Sequence, residues 1–214
     1  MQLLAKRCPR LAALCYWAGT SAIAIEELHH RRSFDLDFHT RFALEDVRPI
    51  LAEIQAAFPN RVEVVQAPDR FGSGFRVLLA LPKNVKITLE VLSNFADIPE
   101  TELVQSQTAP AIKRVTIRRY LADKIQCVAE RAEARDLVDI AAVLQRHPEL
   151  EGLARAILQD QDAILLAERL LAWTDEDIAK DLAAYSDVRP GTASETRDLL
   201  LRWLKEQSRV GGGR

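Results

Sequence analysis

Two aspartates lie two positions apart at residues 34–38, where apolar and acidic side chains alternate. Residues two apart on a β-strand project from the same face, so Asp35 and Asp37 would present neighbouring carboxylates. Two negative charges this close are unfavourable unless a proton or a cation compensates them. Carboxylate oxygens suit Mg²⁺ or Mn²⁺, which also bind substrate phosphates. The pair therefore indicates a metal site for phosphate chemistry, although an Asp-x-Asp run also arises by chance.

A turn at Gly19, Thr20 and Ser21 precedes the acidic run and leads into a predicted helix at residues 21–28. Glycine lets the backbone approach a ligand closely. The hydroxyl and amide groups of Thr20 and Ser21 would lie near a helix N-terminus, where phosphate groups bind well. This turn could therefore hold a triphosphate.

Glu90 is a third candidate carboxylate, on a predicted strand at residues 85–92. The apolar residues of that strand alternate with Glu90 and face the other way. Two aspartates and a glutamate on neighbouring strands can hold two cations ~3.5–4 Å apart for in-line phosphoryl displacement. The alternative is that Glu90 merely marks the solvent side of its strand.

These side chains need a sheet to position them, and the first half of the chain supplies one. Hydrophobic periodicity predicts a helix running into a strand at residues 11–17 and an amphipathic helix at 44–58 with Pro49 in its first turn. Further strands are predicted at residues 61–66, 75–81 and 85–92. After a polar connector at residues 96–110, strand signals stop. Helices are then predicted at residues 117–132, 134–145, 151–174, 175–185 and 194–207, with Thr174 or Asp175, and Thr192 or Ser194, as N-caps.

The predicted fold class is therefore α+β: a mixed sheet with flanking helices at residues 1–95, the connector, and a helical bundle at 111–210. With 48% hydrophobic residues the chain can form a sizeable core. The net charge of −2 argues against a wholly basic nucleic-acid coat or a membrane-surface protein.

Three scattered cysteines without metal-site spacing favour the reducing cytoplasm. No apolar stretch is long enough to span a bilayer, so we expect no membrane partner. A basic start followed by an apolar run at residues 11–25 has some likeness to a signal peptide, but the Gly19 turn interrupts it.

Charge is distributed unevenly along the helical half. Residues 112–135 carry seven basic and three acidic side chains, whereas residues 136–187 carry twelve acidic and four basic ones. The basic segment could contact a phosphate backbone. It could equally be the solvated face of a helix.

Residues 16–38 resemble the AbiEii/AbiGii toxin-type nucleotidyltransferases, within the superfamily of DNA polymerase β-like nucleotidyltransferases. The family motif is an aromatic-Leu-Ala-Gly-Gly-Thr stretch followed by Arg-x-Ser-x-Asp-hydrophobic-Asp. Gly19, Ser33 and both aspartates match it, whereas Thr20 replaces the second glycine and Ser21 the threonine. Arg31 fits the arginine position, and Arg32 lies one place nearer the serine.

Two later motifs follow in order. Residues 120–125 resemble the family helix that carries a lysine, here Lys124. Residues 135–140 resemble its Arg/Lys-Asp-hydrophobic-x-Asp helix, which places Asp136 or Asp139 in the active site, with Asp136 the first choice. Alternatively, Asp136 caps its helix and Asp139 pairs with an arginine.

The resemblance implies a metal-dependent enzyme that transfers NMP from an NTP to a hydroxyl acceptor, tRNA or protein, as the toxin of a toxin–antitoxin or phage-defence system with a cognate antitoxin. The implied catalytic residues are Asp35, Asp37, Lys124 and Asp136. The implied metal ligands are Asp35, Asp37 and Glu90, and Asp37, Glu90 or Asp136 would take the hydroxyl proton. The implied NTP ligands are Gly19, Thr20, Ser21, Arg32, Ser33 and Lys124.

Two other functions are compatible with the sequence. The threonine at position 20 and the uncertain third acid allow a non-catalytic nucleotide- or partner-binding module that keeps the fold. A purely structural helical interaction protein would respond to neither NTP nor Mg²⁺.

Overall fold

The computed structural model describes residues 1–82, 85–131 and 133–211, with side chains described up to Glu206. The described residues divide into two compact units. A sheet unit comprises Met1–His29 and Ser33–Thr116, and a helical unit comprises His30–Arg32 and the chain from Ile117 onward. The observed architecture confirms the predicted α+β fold class.

The sheet unit begins with two short helices that lead into the first strand. They are α1 (Gln2–Arg7), α2 (Pro9–Leu14) and β1 (Cys15–Ala18), followed by α3 (Gly19–Ile23) and a π-helical turn (Ala24–Leu28). The next elements are β2 (Asp35–Ala43), α4 (Arg48–Ala57), β3 (Val62–Gln66), β4 (Gly74–Ala80) and β5 (Lys86–Asn94). A 3₁₀ turn (Glu100–Glu102), β6 (Leu103–Gln105) and β7 (Lys113–Val115) complete the unit.

The described strands form one seven-stranded sheet in the order β3-β4-β5-β2-β1-β7-β6. Strand β2 runs antiparallel to β1 and parallel to β5, so it lies near the centre of the sheet. The register places Ala18 opposite Asp37 across β1 and β2. It places Asp35 opposite Thr88 and Asp37 opposite Glu90 across β2 and β5. Strands β2 and β5 therefore carry the predicted acidic residues side by side, and the end of β1 lies next to Asp37.

The burial of one face of β2 explains why the alternation of apolar and acidic residues predicts this strand correctly. Leu36 and Phe38 are buried, whereas Asp35 and Asp37 between them are partly exposed. The buried side of β2 belongs to an apolar core shared with β1, β4, β5 and α4. Its largest fully buried members include Trp17, Phe38, Phe75, Ile50, Ile54 and Leu89.

The helical unit consists of α5 (Ile117–Glu130), α6 (Ala134–Arg146), α7 (Glu151–Gln159), α8 (Ala163–Ala172), α9 (Asp175–Asp181) and α10 (Pro190–Gly211), with 3₁₀ turns at Pro148–Leu150 and Leu182–Ala184. Thr174 caps α9 in a capping box with Asp177, which confirms it as an N-cap. Helix α10 begins at Pro190, so Thr192 and Ser194 lie inside its first turns. Residue 132, at the end of one predicted helix, lies outside the described part of the chain.

Two further sequence predictions about these elements are wrong. Strand signals do not stop near residue 95, because β6 lies in the predicted connector and β7 follows it. Each of these strands has three residues, too few to show a period of two. The single helix predicted at 151–174 is two helices, since Asp162 accepts hydrogen bonds from the amides of Ile164 and Leu165 and starts α8 anew. The division between the units falls at Thr116, beyond the predicted boundaries at 95 and 111.

Candidate active site

The Asp35 and Asp37 carboxylates lie on the same face of β2, as their spacing predicts. Asp35 accepts a hydrogen bond from the hydroxyl of Ser33 at 2.8 Å, which orients its carboxylate. The predicted serine is therefore beside the acidic pair, where it contacts an aspartate.

Gly19 is fitted closely to Asp37. It has a φ of +67°, in the left-handed region that favours glycine. A Cβ built on Gly19 would overlap Oδ2 of Asp37. The turn after β1 therefore requires glycine for two reasons: the positive φ and the close approach of its backbone to the Asp37 carboxylate. Two carboxylates on one strand face are oxygen donors of the kind that a divalent cation prefers.

Glu90 lies beside Asp37 in register, on the same sheet face. Its carboxylate accepts a hydrogen bond from Arg76 of β4 at 2.8 Å, an ion pair that the sequence prediction missed. In the described part of the chain, no three His, Cys, Asp or Glu side chains are gathered closely enough to hold a metal ion. Glu90 would therefore have to leave Arg76 to join a metal site.

The hydroxyl-bearing residues of the turn are buried. Thr20 is 5% and Ser21 1% exposed, and the indole nitrogen of Trp17 donates to the Ser21 hydroxyl at 2.8 Å. Ser21 thus ties the start of α3 to β1. The side chain of Arg32 is exposed, and its backbone amide donates to Asp187.

The later predicted residues form a buried ionic cluster within the helical unit. Lys124 Nζ lies 2.7 Å from Asp136 Oδ1 and 2.9 Å from Asp139 Oδ2. Both aspartates are fully buried and Lys124 is 6% exposed. Asp136 also accepts a hydrogen bond from Arg131 at 3.0 Å. Helices α5 and α6 therefore bring Lys124, Asp136 and Asp139 together, as the two later motifs imply.

Residues 30–32 contribute two more members to this cluster. Arg31 donates from Nε and Nη2 to the two oxygens of Asp139, at 2.6 and 2.8 Å. The His30 Nε2 lies 2.8 Å from Asp139 Oδ1. The part of the alternative in which Asp139 pairs with an arginine is therefore correct, and the arginine is the one that fits the family motif. The part in which Asp136 caps its helix is wrong, because α6 begins at Ala134 with Glu133 at the N-cap position. Nothing in the sequence indicated His30 as a further member.

The charges of this cluster stabilise one another. Burial alone would raise the pKa of Asp139, but Lys124, His30 and Arg31 hold it well below its usual range. Burial would lower the pKa of Lys124, but Asp139 and Asp136 raise it above its usual value. Asp139 is therefore ionised and Lys124 protonated at neutral pH, which is how buried charges are tolerated.

The basic segment at 112–135 is largely neutralised within the described residues. Six of its seven basic side chains form ion pairs. Arg118 is the exposed exception. Because the carboxylate partners come from elsewhere in sequence or from neighbouring turns, most of the positive charge expected to meet a phosphate backbone is compensated by this chain's own acidic side chains.

Among the helices of the described ranges, none combines the length and the apolar character that a bilayer span requires.

Known structures share this fold. JHP933 from Helicobacter pylori superposes with a TM-score of 0.54 at 20% identity, over 98% of this chain and 94% of its own. A second H. pylori protein, described as a candidate nucleotidyltransferase, gives 0.59 at 21% identity, over 96% and 94%. MenT4, a nucleotidyltransferase toxin from Mycobacterium tuberculosis, gives 0.50 at 16% identity, over 95% and 83%. No curated protein sequence matches the chain.

The sequence profile of the nucleotidyl transferase AbiEii toxin family, of type IV toxin–antitoxin systems, matches residues 19–202. That range contains Gly19, the Asp35–Asp37 pair, both later motifs and the buried ionic cluster of the helical unit. The chain therefore belongs to the AbiEii family of nucleotidyltransferase toxins.

Proposed function

We propose that this nucleotidyltransferase is metal-dependent and that Asp35 and Asp37, with Glu90 as third ligand, hold its cations. The observation that supports this most is the pair of carboxylates on one face of β2 beneath a glycine turn that a Cβ would close. A bound Mg²⁺ or Mn²⁺ would neutralise phosphate charge and activate the attacking oxygen.

The residues around the pair have separable roles in this proposal. The backbone of the Gly19 turn, with Thr20 and Ser21, lies along the triphosphate, and Ser33 fixes Asp35 and contacts a phosphate oxygen. Arg32, exposed beside Ser33, adds a positive charge for the phosphates. These contacts would hold the NTP so that its α-phosphorus faces the acceptor.

The transfer itself is a displacement at phosphorus. The acceptor oxygen forms a bond to the α-phosphorus, the bond to the β-phosphate oxygen breaks, and pyrophosphate leaves. The hydroxyl proton passes to a carboxylate on the sheet face, Asp37 or Glu90. Asp136 is a weaker candidate, because it is fully buried in ion pairs with Lys124 and Arg131. We propose that it keeps Lys124 charged and in place, and that Lys124 supplies positive charge for the NTP.

The acceptor is proposed to be a hydroxyl of tRNA or of a protein. The basic side chains at 112–135 are mostly paired with acidic residues, which weakens the argument that they bind the phosphate backbone of tRNA. The test therefore includes both acceptors. We further propose that the chain acts in the cytoplasm as the toxin of a toxin–antitoxin or phage-defence system, opposed by a cognate antitoxin.

The test supplies the purified chain with each α-³²P-labelled NTP, total tRNA or a protein extract, and Mg²⁺ or EDTA. We expect Mg²⁺-dependent labelling of one acceptor class, lost in Asp35→Ala plus Asp37→Ala. Induced expression should arrest bacterial growth with the wild type and not with the double variant.

Three other outcomes would contradict the proposal. Labelling that persists in EDTA excludes the metal. A thermal shift with NTP but no transfer to any acceptor supports a non-catalytic binding module. The absence of any shift with NTP or Mg²⁺ supports a structural protein.

A further inference from the structure

Helix α8 is apolar on two sides, although only one side packs into the helical unit. Leu166 and Leu170 are 2% and 1% exposed and face the core. Ile164 and Leu171, on another side, are 75% and 71% exposed. A helix that is apolar all round is normally covered all round. The outer side of α8 therefore presents a surface that internal packing does not explain.

This outer side forms one wall of a groove of about 620 Å³, and α10 forms the other. The α8 wall is made by residues at positions i, i+3, i+4 and i+7 of one helical face: Ile164, Ala167, Glu168 and Leu171. The α10 wall adds Leu201, Arg202, Leu204 and Lys205. A groove between two helices that is lined by apolar side chains is the kind of site into which a third amphipathic helix packs.

The charges at the rim indicate what that third helix carries. Arg202 and Lys205 are exposed on the α10 side and pair with no acidic residue in the described part of the chain. Glu168 is exposed on the α8 side and is equally without an ion pair among those residues. The basic pair on α10 therefore differs in charge from the segment at 136–187, which has twelve acidic and four basic side chains. A partner with acidic residues towards α10 and a basic residue towards α8 would be complementary.

We propose that the α8–α10 groove is a docking site for an amphipathic helix of a partner protein, with an apolar stripe and acidic residues on one flank. The apolar stripe covers Ile164 and Leu171, and the acidic flank pairs with Arg202 and Lys205. The site is separate from the proposed metal site and does not depend on nucleotidyl transfer.

The test uses a fluorescein-labelled helical peptide of roughly 16 residues, long enough to span α8 at 1.5 Å per residue. It has leucines at i, i+3, i+4 and i+7, glutamates on one flank and a lysine on the other. A second peptide has these charges reversed. Fluorescence anisotropy measures the binding of both to the full-length wild type, to Leu171→Asp, and to Arg202→Glu plus Lys205→Glu. Arg146→Glu, which removes an exposed basic residue elsewhere in the helical unit, is the matched control.

We expect the wild type and Arg146→Glu to prefer the acidic-flank peptide. Arg202→Glu plus Lys205→Glu should weaken that peptide about tenfold or more and reverse the preference, because charge pairing sets the choice of partner. Leu171→Asp should abolish binding of both peptides while leaving circular dichroism unchanged, since the side chain is exposed. The inactive Asp35→Ala plus Asp37→Ala variant should bind as the wild type does.

Equal affinity of both peptides for all variants, or no binding to the wild type, would overturn the proposal. So would a dimer in light scattering that Leu171→Asp dissociates, because a second copy of this chain would then cover the groove.

Discussion

Arg31 binds both oxygens of Asp139 through Nε and Nη2, at 2.6 and 2.8 Å, and both residues are buried. A guanidinium matches a carboxylate in this two-bond geometry, which fixes direction as well as distance. Arg31, two positions before Ser33, is bound in this way within the helical unit. The arginine of the signature therefore has a structural partner that lies 108 residues away in sequence.

Replacing Asp139 by Asn tests how far the helical unit depends on this cluster. Arg31 and Lys124 would stay buried with one negative charge fewer between them. We expect the free energy of unfolding to fall by about 3–5 kcal/mol, as when one partner of a buried ion pair is removed. Urea denaturation at pH 7 measures it. The exposed Asp160→Asn should change the same quantity by less than about 0.5 kcal/mol. A loss for Asp139→Asn as small as that of the control would contradict a stabilising role.

Gly19→Ala should impair the sheet unit at the acidic pair. The new Cβ meets Oδ2 of Asp37 and the residue must keep a positive φ, which costs roughly 1–2 kcal/mol by itself. We expect a lower melting temperature and loss of NMP transfer. Gly152 is a matched control, because it lies inside α7 and a Cβ there meets nothing within 4 Å. Gly152→Ala should leave transfer intact and stabilise by about 0.5–1 kcal/mol. Full activity of Gly19→Ala would show that the close approach to Asp37 is dispensable.

Glu26 should make stability depend on pH in the acid range. Burial would raise the pKa of Glu26, but hydrogen bonds from Ser106 and from the amides of Thr108 and Gln107 lower it to about 2. Because the folded pKa is below the unfolded value of 4.5, the carboxylate stabilises the fold fully above pH 4.5. That contribution is lost as the pH falls towards 2.

Chemical denaturation of wild type and Glu26→Gln between pH 7 and pH 3 measures this effect. The difference in unfolding free energy should be constant above about pH 5 and shrink below it. Glu63→Gln, which removes an exposed glutamate 3.6 Å from Lys86, should give a small difference at every pH. A Glu26→Gln difference that does not change with pH would contradict the prediction.

Glu90 can be tested separately from the aspartate pair. If Glu90 is a metal ligand, Glu90→Gln should raise the Mg²⁺ concentration for half-maximal transfer by about tenfold or more. Arg76→Met, which frees the Glu90 carboxylate from its ion pair, should not raise it. Titration of Mg²⁺ in the transfer assay distinguishes the two. If only Arg76→Met impairs transfer, the Glu90–Arg76 pair itself supports the site.

The sheet could be predicted from local pattern because β2, β4 and β5 each bury one face. Their apolar residues recur at the period of two that burial on one side imposes. The amphipathic helices were visible for the same reason, and Pro49 lies in the first turn of α4 as predicted. The short strands β6 and β7 were not visible, because three residues cannot show a period of two. The break between α7 and α8 depends on Asp162 as the N-cap of α8, and the spacing of apolar residues gives no sign of such a cap.

The sequence by itself determined that Asp35 and Asp37 share a face, because that follows from strand geometry alone. It also determined that Lys124 and Asp136 lie on consecutive helices, each of which resembles a motif of the family. Only the tertiary structure decided the partners of the charged side chains: the partly exposed Arg76 for Glu90, and Arg31 and His30 for the buried Asp139. Such pairs join residues far apart in the chain. At Asp139, burial requires that the desolvated charge be compensated, and no local pattern carries that information.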